Sequence, residues 1–446
     1  MVPTRSGTRI LVVGGGYVGM YSALRLQRRL RPGEATLTVV DPQAYMTYQP
    51  FLPEAGAGNL EPRHVVVPLR KELRGATVLT GRITGIDHAG RTARFAPDRG
   101  PGRDIGYDVL ILGVGSVPRT MPIPGLAEVG IGFTTVAEAI YLRNHVLARL
   151  DTAAAVLDPE LRRRLLTFLF VGGGYAGVEA LAELEDMARS ALPLYPRLSD
   201  RDMRWVLVEA AERILPEVSP DLSAYTTDRL RGCGIEVRLR TRVKSLVGGA
   251  VELDDGESFE ADTVVWTAGV RPNPLVGSTD LPLDEKNRVR CTAMLTVEGV
   301  ADAWCAGDCA AVPDLTAPGR FCGPSAQHAV RQARRLADNV LATLRGEPPE
   351  EYRHAYAGSV ASLGLHKGVA EIYRIKLTGW PAWLMHRTYH LSRMPTFNRK
   401  VRVAADWTLA LLFHREIVSL GSFTNPRGEF ERAAAPDEPA RPPGAG

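Results

Sequence analysis

The 446 residues carry 54 Lys and Arg against 50 Asp and Glu, a net charge of +4, too balanced to point to a nucleic-acid partner. At 45% hydrophobic and 23% charged, the chain has the make-up of a globular protein, and its length calls for two or three domains. Its five scattered cysteines form neither a disulfide framework nor a metal site; with no apolar signal core and no bilayer-length apolar window, the expected location is reducing and cytoplasmic.

In chain order, residues 10–13 are a short apolar run predicted as a buried strand, closed by Gly14. A helical pattern starts near Tyr17, with Met20, Leu24 and Leu26 on its apolar side. Residues 37–40 read as the next buried strand, closed by Asp41. "DVLILGVGS" (108–116) is a further buried strand running into Gly113, and residues 134–150 have the pattern of an amphipathic helix. Then the pattern restarts. Residues 166–171 read as a strand, followed by a glycine turn, a helix from Tyr175, and a strand ending at Glu209. The intervening "SALPLYPRLSDRD" reads as an inserted loop or helix. Residues 261–270 form a strand entering another turn at Gly269, and residues 301–312 deliver Asp308. Strands alternating with helices predict an α/β chain with doubly wound parallel sheets. The domain boundaries fall at 1–150, 151–274, 275–345 and 346–433; "GEPPEEYRH" is a linker, and residues 434–446 lack core-forming side chains and are expected to be disordered.

The chain uses one device twice. "VVGGGYVG" places Gly14, Gly16 and Gly19 in G-x-G-x-x-G spacing, and "FVGGGYAGVE" repeats it with Gly172, Gly174 and Gly177. The first glycine permits a tight turn, the second clears a path for a pyrophosphate, and the third lets helix pack on strand. The helix N-terminus then presents free N–H groups to the phosphates. Each copy is followed by an acid at the end of the next strand: Asp41 lies 22 residues after Gly19, near the ~20 expected of a ribose-binding carboxylate. Glu209 comes later after Gly177, across the insertion, and would repel a 2′-phosphate, favouring NADH over NADPH; Arg213 nearby leaves that choice open. Two dinucleotides in one chain imply an internal electron relay.

The order "VVGGGYVG", "DVLILGVGS", "FVGGGYAGVE", "VVWTAGV", "WCAGDCA" resembles the two-dinucleotide-binding flavoprotein superfamily over roughly residues 9–345. The resemblance implies two Rossmann-like domains: FAD at the first turn, in a domain assembled from 1–150 and 275–345, and NADH at the second, in 151–274. "AGD" matches the second flavin motif, whose acid, here Asp308, binds the ribityl chain. The disulfide reductases of the superfamily carry a redox cysteine pair after the FAD acid, but "DPQAYMTYQPFLPEAGAG" holds no cysteine. Cys305 and Cys309, flanking Asp308, read as small buried hydrophobes.

"GPSAQHAVRQARRLADN" (323–339) is similar to the Ala-Gln…Gln segment of type II NADH:quinone oxidoreductases, which in that family lies along the flavin ring and lines the quinone entrance. Ala326, Gln327 and Gln332 match; read from the residues alone, this is an amphipathic helix with ordinary glutamines. "YQPFLPEAGAG" resembles that family's loop near the flavin. Glu179, two residues past Gly177, serves helix-dipole complementarity on a plain reading. On the family reading it lies beside the nicotinamide, with a raised pKa, and relays a proton for quinone reduction.

From residue 372 to 420 eight basic residues, Arg374, Lys376, Arg387, Arg393, Arg399, Lys400, Arg402 and Arg415, face two acids, a net +6, interleaved with Trp380, Trp383, Tyr389, Trp407 and "LALLF". Aromatics favour the headgroup level and cations favour anionic lipid. Pro395 divides two short helices that resemble the family's membrane-docking pair. A dimer interface uses similar residues, so a homodimer stays open. The expected function is a non-proton-pumping flavoprotein passing hydride from NADH to FAD and two electrons to a membrane quinone, peripheral on the cytoplasmic face of the membrane. The alternatives are a reductase of a small redox protein and an NADH-sensing flavoprotein with a partner-binding tail. Cutting the chain after Gly379 is expected to leave a soluble, active flavoprotein.

Overall fold

The computed structural model describes residues 7–354, 358–373, 375–413, 415–419 and 430–431; the expected disordered tail and Arg374 lie outside them. The first apolar run forms β1 (Thr8–Val13), which leads through the glycine turn into α1 (Tyr17–Arg29) and β2 (Ala35–Asp41). A short helix, α2 (Leu52–Gly56), precedes β3 (Thr77–Thr80) and β4 (Val109–Leu112). β5 (Gly130–Ile131) leads into α3 (Val136–Ala155), whose start is fixed by a Thr135–Glu138 capping box. The second half repeats the scheme: β6 (Thr167–Val171), α4 (Tyr175–Ala191), β7 (Arg204–Glu209), β8 (Ile235–Leu239) and β9 (Thr263–Trp266). The insertion between α4 and β7 contains two 3-10 turns, Leu192–Leu194 and Asp200–Asp202. β10 (Ala303–Cys305) and α5 (Ala326–Leu344) follow.

The strands sort into two parallel five-stranded sheets, in the orders β10-β4-β1-β2-β3 and β5-β9-β6-β7-β8. The expected α/β class with two Rossmann-like sheets is borne out. β4 and β6 are buried at every position, as a strand covered by helices on both faces requires. In each sheet the chain order reverses beside the first strand, between β1 and β4 and between β6 and β9. Such a reversal opens a crevice at the carboxyl ends of the strands. Register sets what lines it. Val13 pairs with both Val40 and Leu112, so Gly14, Asp41 and Gly113 share one edge. Val171 pairs with Val208 and Trp266, so Gly172, Glu209 and Thr267 share the other.

Beyond the linker the chain forms a small antiparallel sheet that the sequence pattern did not suggest: β11 (Gly358–Ser362), β12 (Gly368–Ile372) and β13 (Ile375–Thr378). These strands are short and rich in small residues, so they lack the alternation that marks a strand. α6 (Trp380–Arg393) and α7 (Phe397–Phe413) follow, separated at Pro395 as expected. No helix among the described residues is long and apolar enough to cross a membrane.

Candidate functional site

The two glycine turns are built alike. Gly14 and Gly172 have φ of +98° and +114°, which an L side chain rarely adopts. A Cβ on Gly14 would stand 2.5 Å from the carbonyl oxygen of Gly113. On Gly19 or Gly177 it would stand 1.7 or 2.0 Å from the carbonyl oxygen of Gly14 or Gly172. Those glycines are needed for packing. Gly16 and Gly174 are different: a Cβ there would meet nothing within 4 Å, so their lack of a side chain serves something other than the protein's own packing. This open strip, at the N-terminus of α1 and of α4, fits a pyrophosphate.

The acids repeat the symmetry. Asp41 accepts hydrogen bonds from the backbone N–H of Gly15 at 2.6 Å and of Gln43 at 2.6 Å. Glu209 accepts from Gly173 N–H at 2.6 Å and Ala211 N–H at 2.7 Å. Each carboxylate is thus locked against the glycine loop and its own strand end, with remaining lone pairs for ribose hydroxyls. Arg213, which left cofactor choice open, is tied down: it donates to the carbonyls of Val218 and Pro216, both at 2.7 Å. Gly269, at φ +88°, closes the turn after β9.

Asp308 reaches the first crevice because Gly307 lies against α1, where a Cβ would come within 2.8 Å of the Val18 side chain. Ser116 donates to Asp308 at 2.7 Å, and burial pushes the carboxyls of both Asp308 and Asp41 above their usual range. Gln332 departs from the expected place at a quinone entrance. It is 1% exposed, and its carbonyl accepts from the Gly307 N–H at 2.8 Å, which positions the Asp308 turn. The two glutamines are five residues apart, so the helix turns them to different neighbours. Gln327 donates to the Gly358 carbonyl at 2.8 Å, while its own carbonyl oxygen is buried without a partner. Ala326 is exposed at the first position of α5. All five cysteines are free; Cys305 and Cys309 are fully buried with their sulfurs 3.7 Å apart.

Glu179 is buried beside residues that the sequence reading had not singled out. It accepts from Ser362 N–H at 2.8 Å, and its carboxylate lies 3.1 Å from His386 Nε2, an ion-pair contact without hydrogen-bond geometry. Burial pulls the His386 imidazole down, but Glu179, with Glu54 and Glu183 behind it, outweighs burial and leaves it raised. His390, one turn on and 4.6 Å away between ring centroids, is held well below its usual value by burial and by His386. Its ring meets those of Tyr48 and Phe51, and Tyr48 meets Tyr17, so a row of rings runs from the start of α1 to His386, which faces Glu179. The strongly raised carboxyl of the group is Glu183, pushed up to about 7 by burial and the charge of Glu54.

Two expected lipid-facing features turn inward instead. Arg387 donates to Glu54 at 2.8 Å, and Arg415 pairs with Asp186; both are buried. Trp383 is buried, and Trp407 donates to Glu54 at 2.8 Å. The internal carboxylates claim these groups because a buried charge without a partner costs several kcal/mol. What faces out is a stripe along α7, Phe397, Val401, Leu409, Leu412 and Phe413, with Trp380 and Leu384 on α6. Phe397 and Phe413 are 81% and 76% exposed, and with their neighbours on the stripe they form a contiguous apolar surface of the kind that marks an interaction site.

The chain matches the family model described as pyridine nucleotide-disulphide oxidoreductase over residues 8–333. It is 27% identical over 422 residues to a type II NADH:quinone oxidoreductase of Mycobacterium tuberculosis, covering 91% of this chain and 89% of that one. It is 29% identical over 412 residues to a demethylphylloquinone reductase of Synechocystis, covering 91% and 96%. Among solved structures, NDH2 of Plasmodium falciparum in complex with NADH superposes with a TM-score of 0.85 at 16% identity, over 92% of this chain and 99% of that one, a likeness of fold. With the family's paired crevices present and the match spanning most of its length, the chain belongs to the pyridine nucleotide-disulphide oxidoreductase family.

Proposed function

We propose that this chain is a non-proton-pumping NADH:quinone oxidoreductase that holds FAD at the first glycine turn and takes NADH at the second. The observation that carries the reading is the duplicated crevice, each with an open glycine strip and its own locked carboxylate. When bound there, FAD would supply the two-electron redox chemistry that joins NADH oxidation to quinone reduction. Residues 1–150 and 275–345 hold FAD: Gly14, Gly16 and Gly19 admit the pyrophosphate, Asp41 takes the ribose, and Gly113 and Asp308 line the crevice. Residues 151–274 hold NADH through Gly172, Gly174, Gly177, Gly269 and Glu209. The Arg213 guanidinium, held by the Val218 and Pro216 carbonyls, is not free to receive a 2′-phosphate, which supports NADH over NADPH.

Glu179 and its partner His386 relay a proton for quinol formation. Gln327 meets the quinone, its unpartnered carbonyl oxygen accepting from a quinol hydroxyl. Gln332 contributes by fixing the Asp308 turn. The quinone itself is supported by the names of the relatives, one a quinone oxidoreductase and one a demethylphylloquinone reductase. Residues 346–433 dock on the cytoplasmic face of the membrane through the exposed apolar stripe of α7, which lies beside the basic residues Arg399, Lys400 and Arg402 as a lipid-facing helix would. The test is NADH oxidation by the purified, FAD-loaded protein with menaquinone and ubiquinone analogues beside a ferredoxin. Quinone-dependent turnover supports the reading; turnover with ferredoxin alone overturns it.

A further inference from the structure

Three acids, Glu54, Glu179 and Glu183, are buried where α2, α4, β11, α6 and the chain after α7 meet, with Asp186 half-buried beside them, and all but Glu183 have a cation. Glu54 has Arg387, Glu179 has His386, and Asp186 has Arg415 with Lys367 at 3.6 Å. Glu183 is 0% exposed and, among the described residues, has no ion pair. It accepts instead from two neutral donors, Ser362 Oγ at 2.7 Å and Asn59 Nδ2 at 3.1 Å. The cations around it already face other carboxylates. A buried carboxylate in that position favours its neutral form. Among the described residues, the cluster also contains buried polar atoms with no hydrogen-bond partner: Glu54 Oε1, in a side chain 1% exposed, and Nδ1 of His386, also 1% exposed. Such orphans in a buried polar group mark a place for an exchangeable proton or water.

Ser362 joins Glu183 to the site. Its backbone N–H donates to Glu179 while its hydroxyl donates to Glu183, so one residue of β11 bridges two carboxylates that lie one turn apart on α4. This matters because, on the function proposed above, NADH, one proton and quinone become NAD⁺ and quinol; the hydride and its electrons come from NADH, and one proton must come from the medium. We propose that Glu183 is the proton reserve of the site, replenishing Glu179 through the Ser362 hydroxyl. In this step the Ser362 hydroxyl, which donates to Glu183 in this structure, turns toward Glu179; the O–H bond of Glu183 breaks, the hydroxyl oxygen accepts that proton as it passes its own on, and an O–H bond forms at Glu179. No electrons move, and Glu183 recovers its proton from water. The facing groups set its balance: burial, Glu54 on α2 and Asp186 on α4 favour the proton, while the Ser362 hydrogen bond and Arg415 oppose it, leaving its value at about 7. Glu179 on α4 and Arg387 and His386 on α6 complete the charged surroundings. Glu183 touches no substrate and acts through Glu179.

The experiment compares full-length flavoprotein with Glu183→Gln, Glu183→Asp and Ser362→Ala. The first readout needs no turnover: the infrared carbonyl stretch of a protonated carboxyl, followed across neutral pH. The parent and Ser362→Ala should show a band that titrates near neutrality, and Glu183→Gln should lack it. The second is the ratio of quinone to ferricyanide turnover against pH, because ferricyanide reduction by NADH releases a proton and takes up none. The ratio should fall by roughly tenfold or more in Glu183→Gln and in Ser362→Ala, with the neutral-pH limb lost, and Glu183→Asp should restore the limb. Ser362→Ala keeps the backbone N–H on Glu179, so it separates the bridge from the hold on Glu179. A band that persists in Glu183→Gln, or variant profiles that superpose on the parent, would overturn the proposal. A parent that reduces ferricyanide but no quinone would overturn the proposed function instead, and the band would still decide whether Glu183 holds the proton.

Discussion

Arg387 and Glu54 meet across 333 residues of sequence, at 2.8 Å, with both side chains buried. The guanidinium also lies over two indole rings, 4.0 Å from the centroid of Trp383 and 4.9 Å from that of Trp407. This one contact ties the first helix of the tail to α2, the short helix after the first dinucleotide acid. The first helix of the tail is therefore packed into the core that surrounds the site.

Replacing Arg387 with Ala leaves Glu54 buried and unpaired, which should cost about 3–5 kcal/mol. Replacing it with Met while Glu54 becomes Gln should recover much of that loss, since no charge is then left unpaired. Thermal melts of the single and double variants check this. The same contact bears on truncation after Gly379: the cut removes Arg387 and Trp407 from Glu54 and Arg415 from Asp186, so the truncated protein should melt lower than the full chain.

The glycine turns predict a split between neighbours. Gly174→Ala adds a methyl that meets no protein atom within 4 Å, so the fold and the FAD content should be kept while the KM for NADH rises. Gly177→Ala places its Cβ 2.0 Å from the Gly172 carbonyl oxygen and should lower the melting temperature itself. Equal NADH affinity in Gly174→Ala and the parent would show that no phosphate passes there.

Glu179→Gln keeps the shape of the side chain and its bond from Ser362 but removes the charge facing His386. Quinone turnover should fall by about 10²-fold or more, with the KM for NADH almost unchanged. Steady-state kinetics read both; equal turnover would reject the role.

Glu183 also predicts how stability varies with pH. Its folded value, about 7, lies above the ordinary 4.5, so the folded state holds this proton more tightly than the unfolded chain. Its contribution is fully present below the ordinary value and is lost as pH rises through about 7. Glu183→Gln should lack that decline and gain on the parent above neutrality, by on the order of a few kcal/mol. Denaturant melts across the range measure the difference.

On α7, changing Leu409, Leu412 and Phe413 to Ser should shift stability little, within about 0.5 kcal/mol per site, because the side chains touch mostly solvent. Binding to vesicles containing anionic lipid should drop sharply in a flotation assay. Full binding by the triple variant would move the docking surface elsewhere.

The glycine turns and their acids were legible because local chemistry fixes them: a tight turn, a close backbone approach and a strand end are written in adjacent residues. The Asp308 turn and the α6–α7 pair were legible for similar reasons. The roles of Gln332, Arg387 and Trp407 were not, since amphipathic spacing does not say which neighbour a polar side chain will meet. Glu54, Glu183, Ser362 and His386 come from four separate elements, and nothing local in any one of them signals a shared buried cluster. A helix rich in glutamate, such as α4, reads as solvated until the tail is seen to cover it.

The most direct test of the central claim is a stopped-flow experiment under anaerobic conditions. The yellow protein is first bleached with one equivalent of NADH, and a menaquinone or ubiquinone analogue is then added. The account predicts that the flavin colour returns at a rate at least matching steady-state turnover. A reduced flavin that persists in the presence of quinone, with NAD⁺ still bound, would contradict it.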